Sequence, residues 1–325
     1  MSDAGVGRYV ERADNQALAQ PLALASATLY LFPVEADVGC QQALCDRFLN
    51  RPSFGVCDYR AFLPRVVFYL ARIGVARALS EPDAERGFVS VTMAGVWIPA
   101  VSTRAAGPTP VANRLVGFPY YMFVDESHAL VTGREVWGFP EELARMEIPY
   151  DAASASVFRV APVLLDRFGP RTLARTEQLF QITKVPGTSR ALFGEVWDDT
   201  PMAIAGLSNV LFGGPHIDVP GAGVHLDVAR ATSSGLTFAL LKQFRDAERP
   251  ERACYQSGVE TRATIQRFRR AGVLDGRFTL NLKLADSHPM MDEMGLAPGS
   301  FDDLVGLFVD MDVVMESGVE LWRAP

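Results

Sequence analysis

The feature that most constrains the fold is a long succession of short, strand-like segments separated by turn signals. Three of them are RVVFYLARI (65–73), GFVSVTMAGVWIPAVS (87–102) and PYYMFVDE (119–126), and their β-branched and aromatic residues are typical of strands. Pro-Gly, Asp-Gly, Gly-Gly and Ser-Gly pairs lie between such segments, as expected of turns. Helices do not alternate with these strands and no GxGxxG motif opens a helix, which argues against a dinucleotide-binding fold.

We therefore predict an α+β fold that is mainly antiparallel β, with a curled or closed sheet and a few peripheral helices. The pattern also predicts one amphipathic helix, at residues 36–50. Further strands are predicted at 154–165, 176–185, 237–244, 263–270, 276–284 and 307–317.

Composition and charge exclude several classes of partner. The chain has 325 residues and a net charge of -7, which argues against binding to nucleic acid or to an anionic membrane. It contains no run of about 18 apolar residues, so we expect no transmembrane helix. Residues 1–16 have no apolar signal core, and residues 1–27 are interpreted as a polar N-terminal extension. Four scattered cysteines form no CxxC pair, so we expect a cytoplasmic protein with reduced thiols and no metal site.

The stretch GREVWGFPEELA (133–144) contains an unusual pair of adjacent acids, Glu141 and Glu142. Phe139-Pro140 is typical of a turn, because proline fixes φ and suits the first position of a helix. The two acids are then expected in the first turn of a short helix. There they would complement the helix dipole for roughly 0.3–1 kcal/mol each, which explains their charge but not the glycines and aromatic residues before them.

The longer run FVDESHALVTGREVWGFPEELA (123–144) resembles the core motif of the acetoacetate decarboxylase family. In that family a strand leads through Gly-Arg-Glu and an aromatic-Pro step to a pair of lysines. The segments 239–290 and 307–322 are similar to the later strands of the family. The resemblance covers most of residues 28–322, with an apparent insertion at about 185–235. It implies a single domain at 28–325, a cone-shaped β-barrel around a hydrophobic cavity, and a homo-oligomer.

The resemblance also makes the acid pair important. Decarboxylases of the family form a Schiff base between a neutral lysine and the substrate ketone, and the lysine positions here are Glu141 and Glu142. A carboxylate cannot form an imine and repels a substrate carboxylate. The family's arginine is missing from ATLYLFPV (27–34), and Ser102 and Thr103 stand near the place of its acidic residue.

Only three lysines, Lys184, Lys242 and Lys283, remain in the chain. Lys242 matches a lysine that the family carries outside its catalytic pair. All three are expected to lie with their aliphatic stems on the barrel and their amines in water. We therefore predict that Schiff-base decarboxylation is lost.

By inheritance of the lysine position, Glu141 is expected to point into the cavity, where apolar walls would raise its pKa and suit it to general acid or base catalysis. Glu142 is the second candidate catalytic residue, and no cofactor is expected. The alternative is that both acids point outward and only cap a helix. Arg134 is expected to be an anchor beside the site or to hold an acidic group of the substrate. The expected walls of the cavity are Met122, Phe123, Trp137 and Phe139.

Inside the insertion, PHIDVPGAGVHLDV (215–228) predicts a hairpin around a four-residue turn. Pairing Val219 with Val224 would set Asp218 opposite His225 and His216 opposite Asp227, all on one face. These four residues are interpreted as two cross-strand His-Asp pairs, and a divalent metal is the alternative. Of the other histidines, His128 is expected at the surface and His288 in a structural turn.

Together these observations favour a non-decarboxylating enzyme of lyase, hydratase, cyclase or hydrolase type. It would act on a small carbonyl or carboxylic compound by acid/base chemistry through Glu141. The alternatives are a non-catalytic small-molecule binding protein and a structural subunit built on the same barrel. An open cavity with Glu141 inside favours the enzyme, an open and wholly apolar cavity favours the binding protein, and a filled cavity favours the subunit.

Overall fold

The structure, a computed structural model, describes residues 7, 9–10, 12–106, 109–188, 196–214, 216–219, 224–227, 235–297 and 301–324. Strands predominate and most pairings are antiparallel, which confirms the predicted fold class. The strands are β1 (Leu22–Glu35), β2 (Asp58–Ala61), β3 (Arg65–Ala78), β4 (Val89–Ala106), β5 (Thr109–Val124), β6 (Glu141–Glu147), β7 (Val157–Leu164), β8 (Arg175–Thr176), β9 (Phe180–Lys184), β10 (Val196–Trp197), β11 (His216–Val219), β12 (Val224–Asp227), β13 (Gly235–Arg245), β14 (Ala253–Val273), β15 (Phe278–Leu282), β16 (Leu307–Met315) and β17 (Val319–Arg323).

Seven of these strands pair in a closed ring. The order is β1, β3, β4, β5, β13, β14 and β16, and β16 pairs back to β1. Every pairing in the ring is antiparallel except the one between β5 and β13. A closed ring satisfies the backbone hydrogen bonds of its own edges, and it agrees with the cone-like barrel that the resemblance implied.

The sheet divides at β5. One edge of β5 pairs with β4 along most of its length, and the other pairs in parallel first with β13, at Val116 and Gly117, and then with β6, at residues 122–124. From β6 the branch continues through β7 and β9 to β15. This branch forms a second layer against the outside of the ring.

Two cores follow from the alternation of side chains along the ring strands. Even-numbered residues of β1 and β3, such as Phe32 and Phe68, pack outward against Phe158 and Phe180 of the second layer, with ring centroids 5.2 and 5.4 Å apart. Odd-numbered neighbours, such as Tyr69, face the interior of the ring. One strand therefore supplies both cores, because successive side chains point to opposite faces.

The helices are short and peripheral. The α-helices are α1 (Val38–Cys45), α2 (Ser127–Thr132), α3 (Thr200–Phe212) and α4 (Met290–Met294). Single π-helical turns continue α1 and α2 at Asp46–Asn50 and Gly133–Trp137, and 3-10 turns lie at Arg51–Ser53, Asp83–Glu85 and Ala152–Ser154. Among the described helices, none has the length and apolar character needed to cross a membrane.

Three sequence predictions need correction. Glu141 and Glu142 begin strand β6, not a helix, because Glu141–Glu147 pairs with β5 on one side and β7 on the other. These pairings outweigh the weak helix preference of Pro-Glu-Glu. Strand β1 begins at Leu22, inside the segment interpreted as an extension. The insertion contains helix α3, which was not predicted.

The hairpin inside the insertion has the predicted register. In the pairing of β11 with β12, His216 lies opposite Asp227, Ile217 opposite Leu226, Asp218 opposite His225 and Val219 opposite Val224. Residues 215, 220–223 and 228 of the predicted segment lie outside the described residues. The predicted backbone register is therefore confirmed. The alternative of a divalent metal bound by these four residues stays a prediction.

Candidate functional site

A cavity of about 110 Å³ lies inside the ring, where β3, β4, β5 and β6 meet the α2 segment. We call it the Glu141 cavity. Its described walls are almost entirely apolar, and the polar side chains that contribute to them are Tyr69, His128, Thr132 and Glu141. The other walls include Trp97, Met122, Gly133, Trp137, Phe139 and Phe238.

A second apolar cavity, of about 210 Å³, lies inside the ring beneath α3. Trp97 and Phe238 contribute to the walls of both cavities, and their rings meet edge to face with centroids 5.4 Å apart. The interior of the ring therefore contains two apolar compartments that share an aromatic wall. The polar groups of the interior are concentrated in the Glu141 cavity.

Two glycines explain how the GREVWGFPEELA stretch brings Glu141 into the cavity. A Cβ on Gly133 would lie 2.1 Å from Glu141 Oε2, so only glycine leaves room for the carboxyl group. Gly138 has φ +89° and packs against the backbone of Lys242, where a Cβ would come within 2.6 Å of its Cα. Such a conformation and such a close approach both favour glycine. The chain then passes through Pro140 into β6, and Arg134 Nη1 donates a 3.0 Å hydrogen bond to the carbonyl oxygen of Glu141.

The carboxyl group of Glu141 is buried without a partner. The residue is 4% exposed, and no described residue hydrogen bonds to Oε2. Burial raises the pKa of Glu141 well above its usual 4.5, and the nearby positive charge of Arg134 opposes this only in part. The folded protein therefore favours the neutral carboxylic acid, which has a hydrogen to donate.

Tyr69 is a second unpartnered polar group in the same cavity. Its ring stacks on Trp97 at 4.4 Å, and it lies opposite Gly95, where a side chain would collide with it. Its hydroxyl makes no well-formed hydrogen bond to any described residue, and burial together with the carboxyl of Glu141 raises its pKa well above 10. The indole of Trp97 lies near this hydroxyl but is only a donor, so the hydroxyl hydrogen has no acceptor.

Sequence reasoning missed Tyr69 because it occurs within the apolar run RVVFYLARI. The available signal was a tyrosine in a strand of otherwise apolar core residues. A buried hydroxyl normally has a hydrogen-bond partner, so a tyrosine in such a strand indicates a polar group nearby in the core. That the residue lies opposite a glycine on β4 follows only from the register of the two strands.

His128 lies at the rim of the cavity, where one side of the residue reaches the outer surface. Its Nδ1 is 3.0 Å from Glu126 Oε1. Although burial raises the pKa of Glu126, hydrogen bonds from the His128 side chain and from the backbone of Ala129 and His128 lower it below its usual value. The ionised carboxylate can only accept, so Nδ1 carries a hydrogen, and in this tautomer of the neutral ring the free lone pair is on Nε2. The sequence-based placement of His128 at the surface was incomplete, because the side chain is also part of the cavity wall.

Of the predicted wall residues, Met122, Trp137 and Phe139 line the cavity, and Trp137 Nε1 donates a 3.0 Å hydrogen bond to the carbonyl of Glu316. Phe123 does not line it, because consecutive residues of β5 face opposite ways and Phe123 packs in the outer core. Arg134 does not line the cavity and instead lines a separate surface depression with Gln243 and Phe244.

Glu142 also lies away from the cavity, since it follows Glu141 on a strand and points to the opposite face. Its side chain is 48% exposed, and its Oε2 is 3.3 Å from His288 Nε2. His288 is itself buried, with Ser287 Oγ 2.9 Å from Nδ1. Glu142 therefore belongs to a polar group on the outer face of the ring, and the two acids do not share an environment.

None of the three lysines lines the Glu141 cavity. Lys184 pairs with Asp275 at 2.8 Å, and Lys283 pairs with Asp166 and Glu177. Lys242 is half-buried on β13 and donates to the carbonyl of Val136, and burial lowers its pKa. The amine that a Schiff base requires is therefore absent from the described walls of this cavity.

Comparison with solved structures finds similar proteins that match along almost the whole chain. The acetoacetate decarboxylase from Legionella pneumophila covers 99% of this chain and 93% of its own, at 15% identity and a TM-score of 0.56. An acetoacetate decarboxylase-like enzyme from Sphingomonas wittichii covers 99% of this chain and 100% of its own, at 13% identity and a TM-score of 0.55. The enduracididine biosynthesis enzyme MppR, complexed with pyruvate, covers 95% of this chain and 93% of its own, at 13% identity and a TM-score of 0.54.

No family model matches the sequence, and no curated protein matches it. At identities this low, the similarity to solved structures concerns the fold and not the chemistry. The closed ring and its branch at β5 include most of the strands, and the similar structures cover 95–99% of the chain. This chain therefore has the fold of the acetoacetate decarboxylases, as the resemblance of residues 123–144 to their core motif predicted.

Proposed function

We propose that this chain is an enzyme that moves a proton on a small carbonyl or carboxylic compound, with Glu141 as the general acid. The observation that carries the proposal is the Glu141 carboxyl group, buried in an apolar cavity with an unpartnered oxygen. A buried polar group without a hydrogen-bond partner destabilises the folded protein, and a ligand that supplies the partner removes this cost. Perturbed carboxyls in cavities are common at active sites.

His128 is the base of the proposed reaction. The hydrogen bond between Nδ1 and Glu126 orients the imidazole and leaves Nε2 able to accept a proton. In an enolisation, the base removes a proton from the carbon beside the carbonyl, and the electron pair of that C–H bond forms the new C=C bond. The carbonyl π electrons move to oxygen, which takes a hydrogen from Glu141. Reversal returns a proton to carbon.

A similar fold accommodates a carbonyl ligand, since MppR is complexed with pyruvate. This supports a carbonyl compound as the ligand here, and the two unpartnered polar groups of the cavity support a site built for a ligand. The alternative is a non-catalytic binding protein, which the apolar walls of the cavity favour. Both functions need an open cavity and differ only in turnover.

Exchange of α-hydrogens for deuterium separates the two functions. We expect the protein to catalyse exchange of cyclohexanone in D₂O, measured by proton NMR, and expect Glu141→Gln and His128→Asn each to slow it by roughly 100-fold or more. Glu142→Gln is the matched control, because Glu142 lies on the same strand but faces away from the cavity. Binding of cyclohexanone without exchange would favour the binding protein and overturn the proposed enzyme.

A further inference from the structure

We propose that Tyr69 and Glu141 form a two-donor site for a single carbonyl oxygen, and that the ligand carries no charge. This inference deepens the proposed function and rests on it for the reaction. It names the ligand class as uncharged ketones, aldehydes or esters. It also adds Tyr69, for which the resemblance to the family supplies no role.

Two buried donors of the cavity have no acceptor among the described residues. The Tyr69 hydroxyl and Glu141 Oε2 are buried, lack well-formed hydrogen bonds to described residues and line the same cavity. Both residues line this one cavity of about 110 Å³, and the negative charge of an ionised Glu141 disfavours the tyrosinate. A neutral acid and a phenol each have one hydrogen to donate, and a carbonyl oxygen has two lone pairs to receive them.

The described walls of the cavity contain no permanent positive charge to pair with a charged ligand. Neither lysine nor arginine contributes to them. The guanidinium of Arg134 donates to the backbone carbonyl of Glu141, and Arg134 lines a separate surface depression. His128 is the titratable group at the rim, and the negative charge of Glu126 offsets any positive charge on it. A carboxylate in this cavity would be a buried charge without a partner, which is strongly unfavourable.

Two donors around one carbonyl oxygen also suit the proposed reaction. When a carbonyl compound enolises, negative charge develops on its oxygen. Donors fixed around that oxygen in a dry, apolar site stabilise the charge more than water does. A carboxylic acid kept neutral by apolar surroundings is a known donor for this purpose. Tyr69 would hold the oxygen throughout, and Glu141 would share or transfer its hydrogen.

Infrared spectroscopy of bound cyclohexanone tests the two-donor site. Two hydrogen bonds should move the C=O stretching band to a lower wavenumber than in hexane, and Tyr69→Phe should reverse about half of this displacement. Binding of cyclohexanone should weaken roughly 3- to 10-fold in Tyr69→Phe, as expected for one lost hydrogen bond. Tyr255→Phe is the matched control, because that hydroxyl binds Glu320 on the outside of the ring. An unchanged band in a folded Tyr69→Phe would overturn the proposal.

Glu141→Gln supplies a second readout in case Tyr69→Phe does not fold. Glutamine keeps an N–H donor, so we expect a smaller reversal of the band than in Glu141→Leu. Equal bands in wild type, Glu141→Gln and Glu141→Leu would overturn the proposal. Failure of cyclohexanone to bind to the wild-type protein would also overturn it.

Charged ligands test the proposed class. Pyruvate and cyclohexanecarboxylate at neutral pH should bind at least tenfold more weakly than cyclohexanone, measured by calorimetry. Tighter binding of pyruvate would overturn the uncharged class. If cyclohexanone binds with a displaced band but exchanges no deuterium, the proposed reaction fails and the two-donor site stands. If exchange and band are both unaffected by Tyr69→Phe, the site fails and the reaction stands.

Discussion

The carboxyl group of Glu141 is more stable in the folded protein with its proton than without it, because burial disfavours the charged form. In the unfolded chain the group titrates near 4.5, its ordinary value. Between this value and the higher pKa of the fold, the folded state binds more protons. The contribution of Glu141 to stability is therefore fully present below pH 4.5 and is lost as the pH rises through the folded pKa.

At the residue scale we predict that Glu141→Gln changes the pH dependence of stability. Between pH 4.5 and the folded pKa, protonation of Glu141 should make the free energy of unfolding of the wild type fall by up to ~1.4 kcal/mol per unit rise in pH. The variant should lose this slope and be at least as stable as the wild type at pH 7. Urea unfolding from pH 4 to 8 measures it. Glu142→Gln should keep the wild-type slope, and a steep slope in Glu141→Gln would contradict the prediction.

At the scale of elements, strand β6 decides what each of the two acids can do. A helix would have turned Glu141 and Glu142 about 100° apart, whereas on a strand they face opposite sides of the sheet. Only Glu141 reaches the interior of the ring, and Glu142 meets His288 outside it. The lysines lie on or beside other strands, with their amines away from the cavity.

This placement predicts that the protein forms no Schiff base. Incubation with acetoacetate followed by borohydride should add no mass to the protein, and carbon dioxide should not be released above background. Intact-mass spectrometry measures the first and gas detection the second. Glu141→Lys alone should not restore decarboxylation, because the family's arginine and acidic residue are missing too. A trapped adduct on Lys242, whose pKa burial lowers, would contradict the prediction.

At the scale of the whole molecule, large apolar side chains remain exposed on neighbouring segments. Phe168 and Leu284 are 68% and 69% exposed. The backbone N–H of Phe168 donates a 2.7 Å hydrogen bond to Asp286, so the two apolar side chains belong to adjacent parts of the surface. Exposed apolar groups that lie together often mark an interface. This surface is a candidate contact for the homo-oligomer that the resemblance implied.

We therefore predict a homo-oligomer that depends on this surface. Light scattering should give a mass of at least twice the 35.5 kDa of one chain. The double variant Phe168→Ser/Leu284→Ser should weaken association at least tenfold, because apolar area removed from water is the main favourable term in such contacts. Phe54→Ser is the control, since Phe54 is exposed in a different segment, after α1. A monomeric wild type, or equal effects of both changes, would contradict the prediction.

The sequence by itself determined the features that depend on neighbours along the chain. Alternating apolar residues and turn pairs located most strands, and the alternation on either side of PGAG predicted the register of β11 against β12. Residue identity alone also showed that Glu141 and Glu142 occupy the positions where a Schiff base needs lysine. These features could be predicted because strand alternation and turn geometry act over a few residues.

Only the tertiary structure decided how the site is assembled. Pro-Glu-Glu locally favours the start of a helix, and β5 and β7 convert it into a strand by pairing with it. Tyr69 and His128 join Glu141 because closure of the ring brings β3 and α2 to the same cavity. Phe123 and Glu142 leave the predicted site for the same reason, because the face that each residue presents depends on its partner strand. These outcomes arise from contacts between residues far apart in sequence, which local propensity cannot encode.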